Sequence, residues 1–338
     1  MSRMLALLYS LVFSTFLPSA SAKFVADSLT KGDLAVWCIF DFVYIVIALS
    51  CLAPIFRLKS HRSPYFALCA ATVFSIVQCT VDIGYIVTSE QDTPQTIVAL
   101  GSTIVFFSNW SSPLLYLALW LLLFDRYKQW RKHDADSRSV LAMDKLLFRA
   151  FLGLFAVLVL LSTLSSALYT NQLSLQARLV ELEVITSNDL QRARDAAQMY
   201  LDAGYVFSAF WFFSALCITA LSVYVHESAK RVRVNDQITK VMLFVITPLY
   251  FIGMIQGIVF TVYFSPSVQL TSETEVEDLT LASDVVNNFI YAMISVVVLA
   301  LGLKAEYWRA PDQIVALSNL GAVPAGRYAE LDDTQSSK

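Results

Sequence analysis

The stretch Ile97–Asp134 reads IVALGSTIVFFSNWSSPLLYLALWLLLFDRYKQWRKHD. No charged residue interrupts it from its start to Phe124, and this run is longer than the roughly 20 apolar residues that cross a bilayer as a helix. A charged, tryptophan-bearing segment then begins with Asp125, Arg126 and Tyr127. The pattern predicts a helix that crosses a membrane and ends at a basic boundary.

The composition of the whole chain points to the same environment. Of its 338 residues, 57% are hydrophobic and only 15% are charged, and the mean hydropathy is +0.60. Soluble domains carry about 25% charged residues, so we expect lipid rather than water to cover much of this surface. The net charge of −3 argues against a nucleic-acid partner, which would favour a clustered basic surface. The lipid bilayer is therefore the first predicted partner.

Six further apolar runs resemble the one at 97–124. Each is long enough to cross a bilayer as a helix. The chain is therefore predicted to be an all-α, polytopic membrane protein whose domain at 34–303 is a bundle of seven transmembrane helices. We place these helices at 34–56, 65–88, 97–124, 146–170, 203–225, 241–264 and 284–303.

The loops between these helices alternate in positive charge. Counting Lys and Arg, the first, third and fifth loops carry 3, 6 and 4, and the second, fourth and sixth carry 0, 3 and 0. This asymmetry of thirteen to three places the odd-numbered loops in the cytosol by the positive-inside rule. The N-terminus is then predicted to lie outside, and the tail at 304–338 is predicted to be cytosolic.

The beginning of the chain has the order of a secretory signal peptide. Arg3 precedes an apolar core at Leu5–Leu17, and Ala20–Ala22 supplies small residues for cleavage. We predict a signal peptide at 1–22 and a short external N-terminus at 23–33, in agreement with the orientation from the loops. An uncleaved extra helix is the alternative. Either way, the predicted location is the plasma membrane or another membrane of the secretory pathway.

The fourth loop is long and keeps a helical pattern. Its apolar residues follow helical spacing, and Ser187–Asp189 has the composition of a helix N-cap. We predict an external helical hairpin around 171–202. Such a hairpin can be a rigid spacer or a surface that recruits a partner.

Polar residues inside the apolar runs are the candidate binding residues. An ionisable group within a bilayer costs on the order of 3 kcal/mol and usually faces the bundle interior. In the predicted orientation, Asp41 and Asp82 lie roughly 10 and 9 Å below the outer surface, at about 1.5 Å per residue. An acidic pocket in the outer half would suit a small cationic or hydroxyl-rich ligand, whereas the alternative is that these side chains only hydrogen-bond neighbouring helices. The predicted ligand-binding residues are Asp41, Asp82, Asn109, Gln256, Asp284, Asn287 and Asn288.

Asp125-Arg126-Tyr127 resembles the DRY motif of rhodopsin-like, G-protein-coupled receptors, which occupies the cytosolic end of the same helix. In that family the arginine is restrained at rest and engages a G protein on activation, so the resemblance implies a cytosolic signalling partner that these three residues contact. Asn287–Tyr291 resembles the family's NPxxY, with Asn288 in place of proline, although it lies at the predicted outer end of helix seven. The alternative is that the basic and aromatic residues after Phe124 only anchor the helix at the lipid interface. The chain also resembles seven-helix membrane proteins of fungi.

No pattern of a catalytic or metal site accompanies these features. His61, His133 and His226 fall one in each predicted cytosolic loop, without the spacing of zinc ligands, and we expect them to be solvated. We predict no enzyme activity, no metal and no cofactor. The leading predicted function is a receptor-like sensor of an extracellular small ligand. The alternatives are a solute or ion transporter, and a non-catalytic membrane protein that recruits partners through its external hairpin.

Overall fold

A computed structural model of the protein describes residues 28–58, 61–88, 93–131, 141–181, 186–231, 236–263 and 273–308. The predicted signal peptide, His133 and nearly all of the predicted tail lie outside these ranges.

Every regular element in the described ranges is helical, and seven helices are long and apolar enough to cross a membrane. The predicted all-α bundle of seven membrane-length helices is thereby confirmed, and the orientation of its termini stays a prediction. The sixth helix, α6, consists of Gln237–Val241, a π-helical turn at Met242–Ile246, and Thr247–Tyr263. The other elements are α1 (Ser28–Arg57), α2 (Ser63–Thr88), α3 (Pro94–Arg131), α4 (Leu141–Glu181), α5 (Ser187–Arg231), α7 (Glu273–Leu303) and a 3-10 turn at Ala305–Trp308.

The helices form a closed ring in chain order. Each helix packs against the next one, α7 closes the ring against α1, and α3 also contacts α5. The core is densest on α3, where Leu115, Leu119 and Leu123 are at most 1% exposed. We call the end of the bundle at which α3 ends the Arg126 end, and the opposite end the Asp82 end.

Large apolar side chains point away from the core on all sides of the ring. Phe42, Phe56, Leu160 and Phe244 are each 66–68% exposed. A water-soluble surface rarely carries large contiguous apolar patches, but a bilayer solvates them. The exposed surface therefore has the chemistry of a lipid-facing one, as the composition predicts.

Helix α6 departs from regular geometry within its first ten residues. Asp236 caps the helix by accepting a hydrogen bond from the Ile238 amide at 3.1 Å. The turn Met242–Ile246 is π-helical, and Thr247 Oγ1 donates to the Met242 carbonyl at 2.8 Å. Pro248 has no amide hydrogen to donate within the helix. The wider turn therefore accommodates a proline in a helix that remains continuous.

Helices α4 and α5 are longer than a membrane requires. They contain 41 and 45 residues, whereas about 20 residues cross the hydrocarbon core. Both extend at the Asp82 end, where the predicted hairpin lies. The start of α5 is fixed by Thr186, which donates a hydrogen bond from Oγ1 to Asp189 Oδ2 at 2.5 Å and accepts one from the Asp189 amide at 3.3 Å. The rings of Tyr169 and Tyr200 pack 5.2 Å apart across the two helices.

Candidate functional site

Arg126 is the most unusual side chain of the bundle, because it is charged and 0% exposed. Arginine is almost never fully buried unless it is paired. It lies about one turn before the end of α3, among residues from the start of α6 and the 3-10 turn after α7. A single helix boundary that only anchored the chain in lipid would not need these contacts.

The guanidinium of Arg126 has four partners. It donates a hydrogen bond to Gln129 Oε1 at 2.6 Å and another to the carbonyl oxygen of Tyr307. One nitrogen lies 4.0 Å from Asp236 Oδ1, and both side chains of this ion pair are nearly inaccessible to solvent. The guanidinium carbon lies 4.6 Å from the centre of the Trp308 ring, a cation–π geometry. Arg126 therefore links α3 to the start of α6 and to the turn after α7.

The Trp308 ring holds the 3-10 turn against the bundle. Its indole nitrogen donates to the Leu301 carbonyl at 2.9 Å, which ties the turn back to α7. The ring lies 5.0 Å from that of His61 and 6.1 Å from that of Tyr65, measured between centroids. Gly302 allows this packing, because a Cβ at that position would overlap the Tyr65 ring. The turn is thus a packed element and not a frayed helix end.

Asp125 lies beside His61 of the α1–α2 connection. Its Oδ2 lies 3.4 Å from His61 Nδ1, and His61 Nε2 is 3.0 Å from Gln129 Nε2. The resemblance to receptors implies that the neighbouring aspartate restrains the arginine, but the carboxylate closest to Arg126 is Asp236. Tyr127 is buried and stacks between Phe124 and a tyrosine of α5.

The expectation of solvated histidines is wrong for His226 and only partly right for His61. His226 is 5% exposed, because α5 extends beyond the predicted span, and its Nδ1 lies 3.5 Å from Thr239 Oγ1. His61 keeps 21% of its side-chain surface exposed beside Asp125. The His61 contact joins parts of the chain that are distant in sequence, and the His226 contact joins α5 to α6 across their connection. Loop position alone cannot reveal either contact.

At the Asp82 end, acidic side chains lie on α1, α2 and α7, and Asp33 of α1 is within electrostatic range of Asp284. Asp41 Oδ1 accepts a hydrogen bond from Thr80 Oγ1 at 3.3 Å, which joins α1 to α2. Asp82 lies within electrostatic range of Asp284. Asp82 Oδ2 is buried and has no hydrogen-bond partner among the described residues. Two carboxylates at close range in a low dielectric repel each other unless a cation or proton intervenes.

The predicted amide residues make separate contacts between helices. Asn109 donates to Ser166 Oγ at 3.0 Å, between α3 and α4. Gln256 donates to the Ser283 carbonyl at 3.1 Å, between α6 and α7. Asn287 is half-buried on α7. The contacts between helices that Asp41, Asn109 and Gln256 make therefore match the bracing alternative, and a single ligand pocket that contains all seven residues stays a prediction.

Tyrosines form a polar layer deeper in the bundle that sequence reasoning missed. Tyr44 donates to Asn288 Oδ1 at 3.0 Å, and so joins α1 to α7. Tyr291 of α7 hydrogen-bonds Ser112 of α3, and it lies within electrostatic range of both Tyr44 and Tyr250. Aromatic residues in apolar runs are expected as core or lipid-facing groups, so no sequence signal distinguishes Tyr44 and Tyr250 from the other tyrosines. Tyr291 is marked only by its place in the NPxxY-like stretch, which does not indicate these contacts.

In the described part of the chain, no group of three His, Cys, Asp or Glu side chains is placed to hold a metal ion. The chemistry that the described residues offer is thus charge pairing and hydrogen bonding, concentrated at Arg126 and at Asp82. No family model and no curated protein matches this sequence.

Proposed function

We propose that the protein is a receptor-like membrane sensor that couples a small extracellular ligand to a cytosolic partner. The observation that carries this proposal is the complete burial of Arg126 between Asp236 and Trp308. The desolvation energy that an ion pair loses on burial is often larger than the energy of attraction between its two charges. Replacing such a pair by well-packed apolar residues is often neutral or even stabilising. A role in distinguishing two arrangements of the helices therefore explains the pair better than stability does.

The orientation of the chain is part of the proposal. The charge asymmetry of the loops supports an external N-terminus and a cytosolic Arg126 end in a membrane of the secretory pathway. Protease added to intact cells should cut the connection at 182–185 and leave the connection at 132–140 intact. Cleavage of 132–140 from outside would reverse the orientation and remove the proposed cytosolic role of Arg126.

The acidic Asp82 end supports a cationic ligand. Asp82 and Asp284 are within electrostatic range of each other, and Asp41 lies on the neighbouring helix. A bound ammonium or similar group would offset the repulsion of these carboxylates and hydrogen-bond the open Asp82 oxygen. This pocket is the predicted sensor end, and α7 connects it to the turn that contacts Arg126.

Nucleotide exchange on purified heterotrimeric G proteins tests the proposal, with small amines and polyols screened as ligands. A stimulating ligand should lose its effect on exchange in Arg126→Ala but keep its binding. Lys230→Ala is the matched control, because it removes an exposed cation at the same end whose partner is Glu227.

Two results would contradict a receptor. Flux of a solute into proteoliposomes, abolished by Asp82→Asn and without any stimulated exchange, would assign a transporter. If no compound stimulates nucleotide exchange and none is transported, the remaining function is that of a membrane protein that recruits partners.

A further inference from the structure

A groove between α3 and α4 at the Arg126 end has no role in the function proposed above. It has a volume of about 330 Å³ and is lined by Phe124, Lys128, Lys145, Phe148 and Arg149. Ligand pockets in proteins start at roughly 300 Å³, so this volume is sufficient for a small group. Three of the five lining residues are cations.

The three cations come from both walls of the groove. Lys128 belongs to α3, and Lys145 and Arg149 lie one helical turn apart on α4. All three are exposed, and none forms an ion pair with another residue that the structure describes. Three like charges around one small volume repel each other. An anion bound in the groove would relieve this repulsion.

Aromatic rings form the inner wall of the groove. The rings of Phe124 and Phe148 lie 5.4 Å apart, and the Lys128 ammonium lies 4.3 Å from the centre of the Phe124 ring. Phe148 is 38% exposed, and Leu152, one turn further along α4, is 45% exposed. The groove therefore has cations at its mouth and an apolar surface that continues along α4.

The height of the groove along the bundle matches a membrane surface. The apolar span of α3 ends at Gln129, and that of α4 begins at Lys145. The cations thus lie where lipid headgroups meet water, and Leu152 lies at the level of acyl chains. Basic pockets between helices on the cytosolic side suit phosphorylated headgroups. A soluble acidic peptide would bind the cations but would leave the apolar surface at Phe148 and Leu152 uncovered.

We propose that this groove binds the phosphorylated headgroup of an anionic membrane lipid, with Lys128, Lys145 and Arg149 on the phosphate and Phe148 and Leu152 along an acyl chain. Phosphatidylinositol 4-phosphate fits this chemistry, because it combines two phosphates with two acyl chains. The site uses neither the Asp82 end nor Arg126, and it rests on the proposed function only for the cytosolic orientation of the Arg126 end.

Native mass spectrometry of the full-length protein tests the site, with phosphatidylinositol 4-phosphate as the probe and phosphatidylcholine as the neutral reference. Each cation near an anionic lipid strengthens binding by about fivefold. Lys145→Ala with Arg149→Ala should therefore weaken binding roughly 30-fold, and Lys128→Ala, on the opposite wall, about fivefold. These side chains are exposed, so the variants should fold normally.

The matched control removes two cations outside the groove. Lys230→Ala with Arg231→Ala changes the net charge equally at the same end of the bundle and should leave the affinity within about threefold. Equal loss in both double variants would mean nonspecific attraction to anionic lipid and would overturn the proposal. Inositol 1,4-bisphosphate, which lacks acyl chains, should bind much more weakly than the lipid. Equal affinity for the two would assign a site for soluble phosphates instead.

Discussion

The ion pair between Arg126 and Asp236 makes a quantitative prediction about stability. Asp236→Asn removes the negative charge but keeps the helix cap, because Asn and Asp are comparable N-cap residues. Removing one partner of a buried ion pair typically costs about 3–5 kcal/mol. The separation here is 4.0 Å, and Arg126 keeps its hydrogen bonds to Gln129 and the Tyr307 carbonyl. We therefore expect a smaller loss, about 2 kcal/mol of unfolding free energy.

A second substitution separates the charge interaction from other effects. Arg126→Met keeps most of the side-chain volume, removes the buried charge and leaves the Tyr307 carbonyl without its donor. An unsatisfied buried acceptor costs about 1–3 kcal/mol, so this variant should also be less stable. Because the cation is already absent, adding Asp236→Asn to Arg126→Met should cost less than about 0.5 kcal/mol. The double-mutant cycle should give a coupling of about 1.5–2 kcal/mol.

Equilibrium unfolding in mixed micelles measures these differences, with the proportion of denaturing detergent increased stepwise and tryptophan fluorescence as the signal. Glu227→Gln serves as the control, since it removes an exposed salt bridge to Lys230 and should leave the midpoint unchanged. If the losses in Asp236→Asn and Arg126→Met simply add, the two side chains do not interact. The structural reason for treating Arg126 as a linked residue would then be lost.

Three further predictions concern other parts of the bundle. Gly302→Ala should destabilise the protein by about 1–3 kcal/mol, because the added Cβ would overlap the Tyr65 ring. Gly257→Ala, whose Cβ would meet nothing within 4 Å, should be neutral or stabilising. Equal unfolding midpoints for the two variants would contradict this prediction. Tyr44→Phe removes the hydrogen bond between α1 and α7 and should cost about 0.6 kcal/mol, so a loss above about 2 kcal/mol would indicate a larger network. Asp82→Asn should raise the thermal midpoint, because it removes one of two like charges, and should abolish binding of a cationic ligand; intact binding would exclude Asp82 from the pocket.

The number and nature of the helices could be predicted from the sequence because the bilayer imposes both. A spanning segment must be apolar over about 20 residues and must satisfy its backbone internally. Each of the seven apolar runs can therefore be recognised from its own local sequence. The helix ends could not be placed in the same way, since helix α7 begins at Glu273 rather than near 284. Acidic side chains in the first turns are compatible with a helix N-terminus even though they are excluded from lipid.

The contacts of Arg126 could not be predicted, because its partners are distant in sequence. Asp236 and Trp308 are more than 100 residues away, and both lie in segments that read as loop and tail. The motif at 125–127 marks the position of Arg126 on its helix but does not indicate its burial. For the polar residues of the Asp82 end, the position along each helix could be predicted, whereas helical phase and partner could not.

Helix α7 gives these two ends a physical connection. It carries Asp284 and Asn288 near the acidic cluster and Tyr291 in the tyrosine layer, and its continuation presents Trp308 to Arg126. From Asp284 to the end of the helix is roughly 30 Å at 1.5 Å per residue, and a helix of this length transmits a tilt or shift with little bending. Transmission of such a movement requires that the side chains at each end of the bundle can adopt two arrangements. A packed core allows them to change only in discrete steps. In the proposed sensor, a small displacement of the Trp308 turn would remove both the aromatic and the carbonyl partner of Arg126.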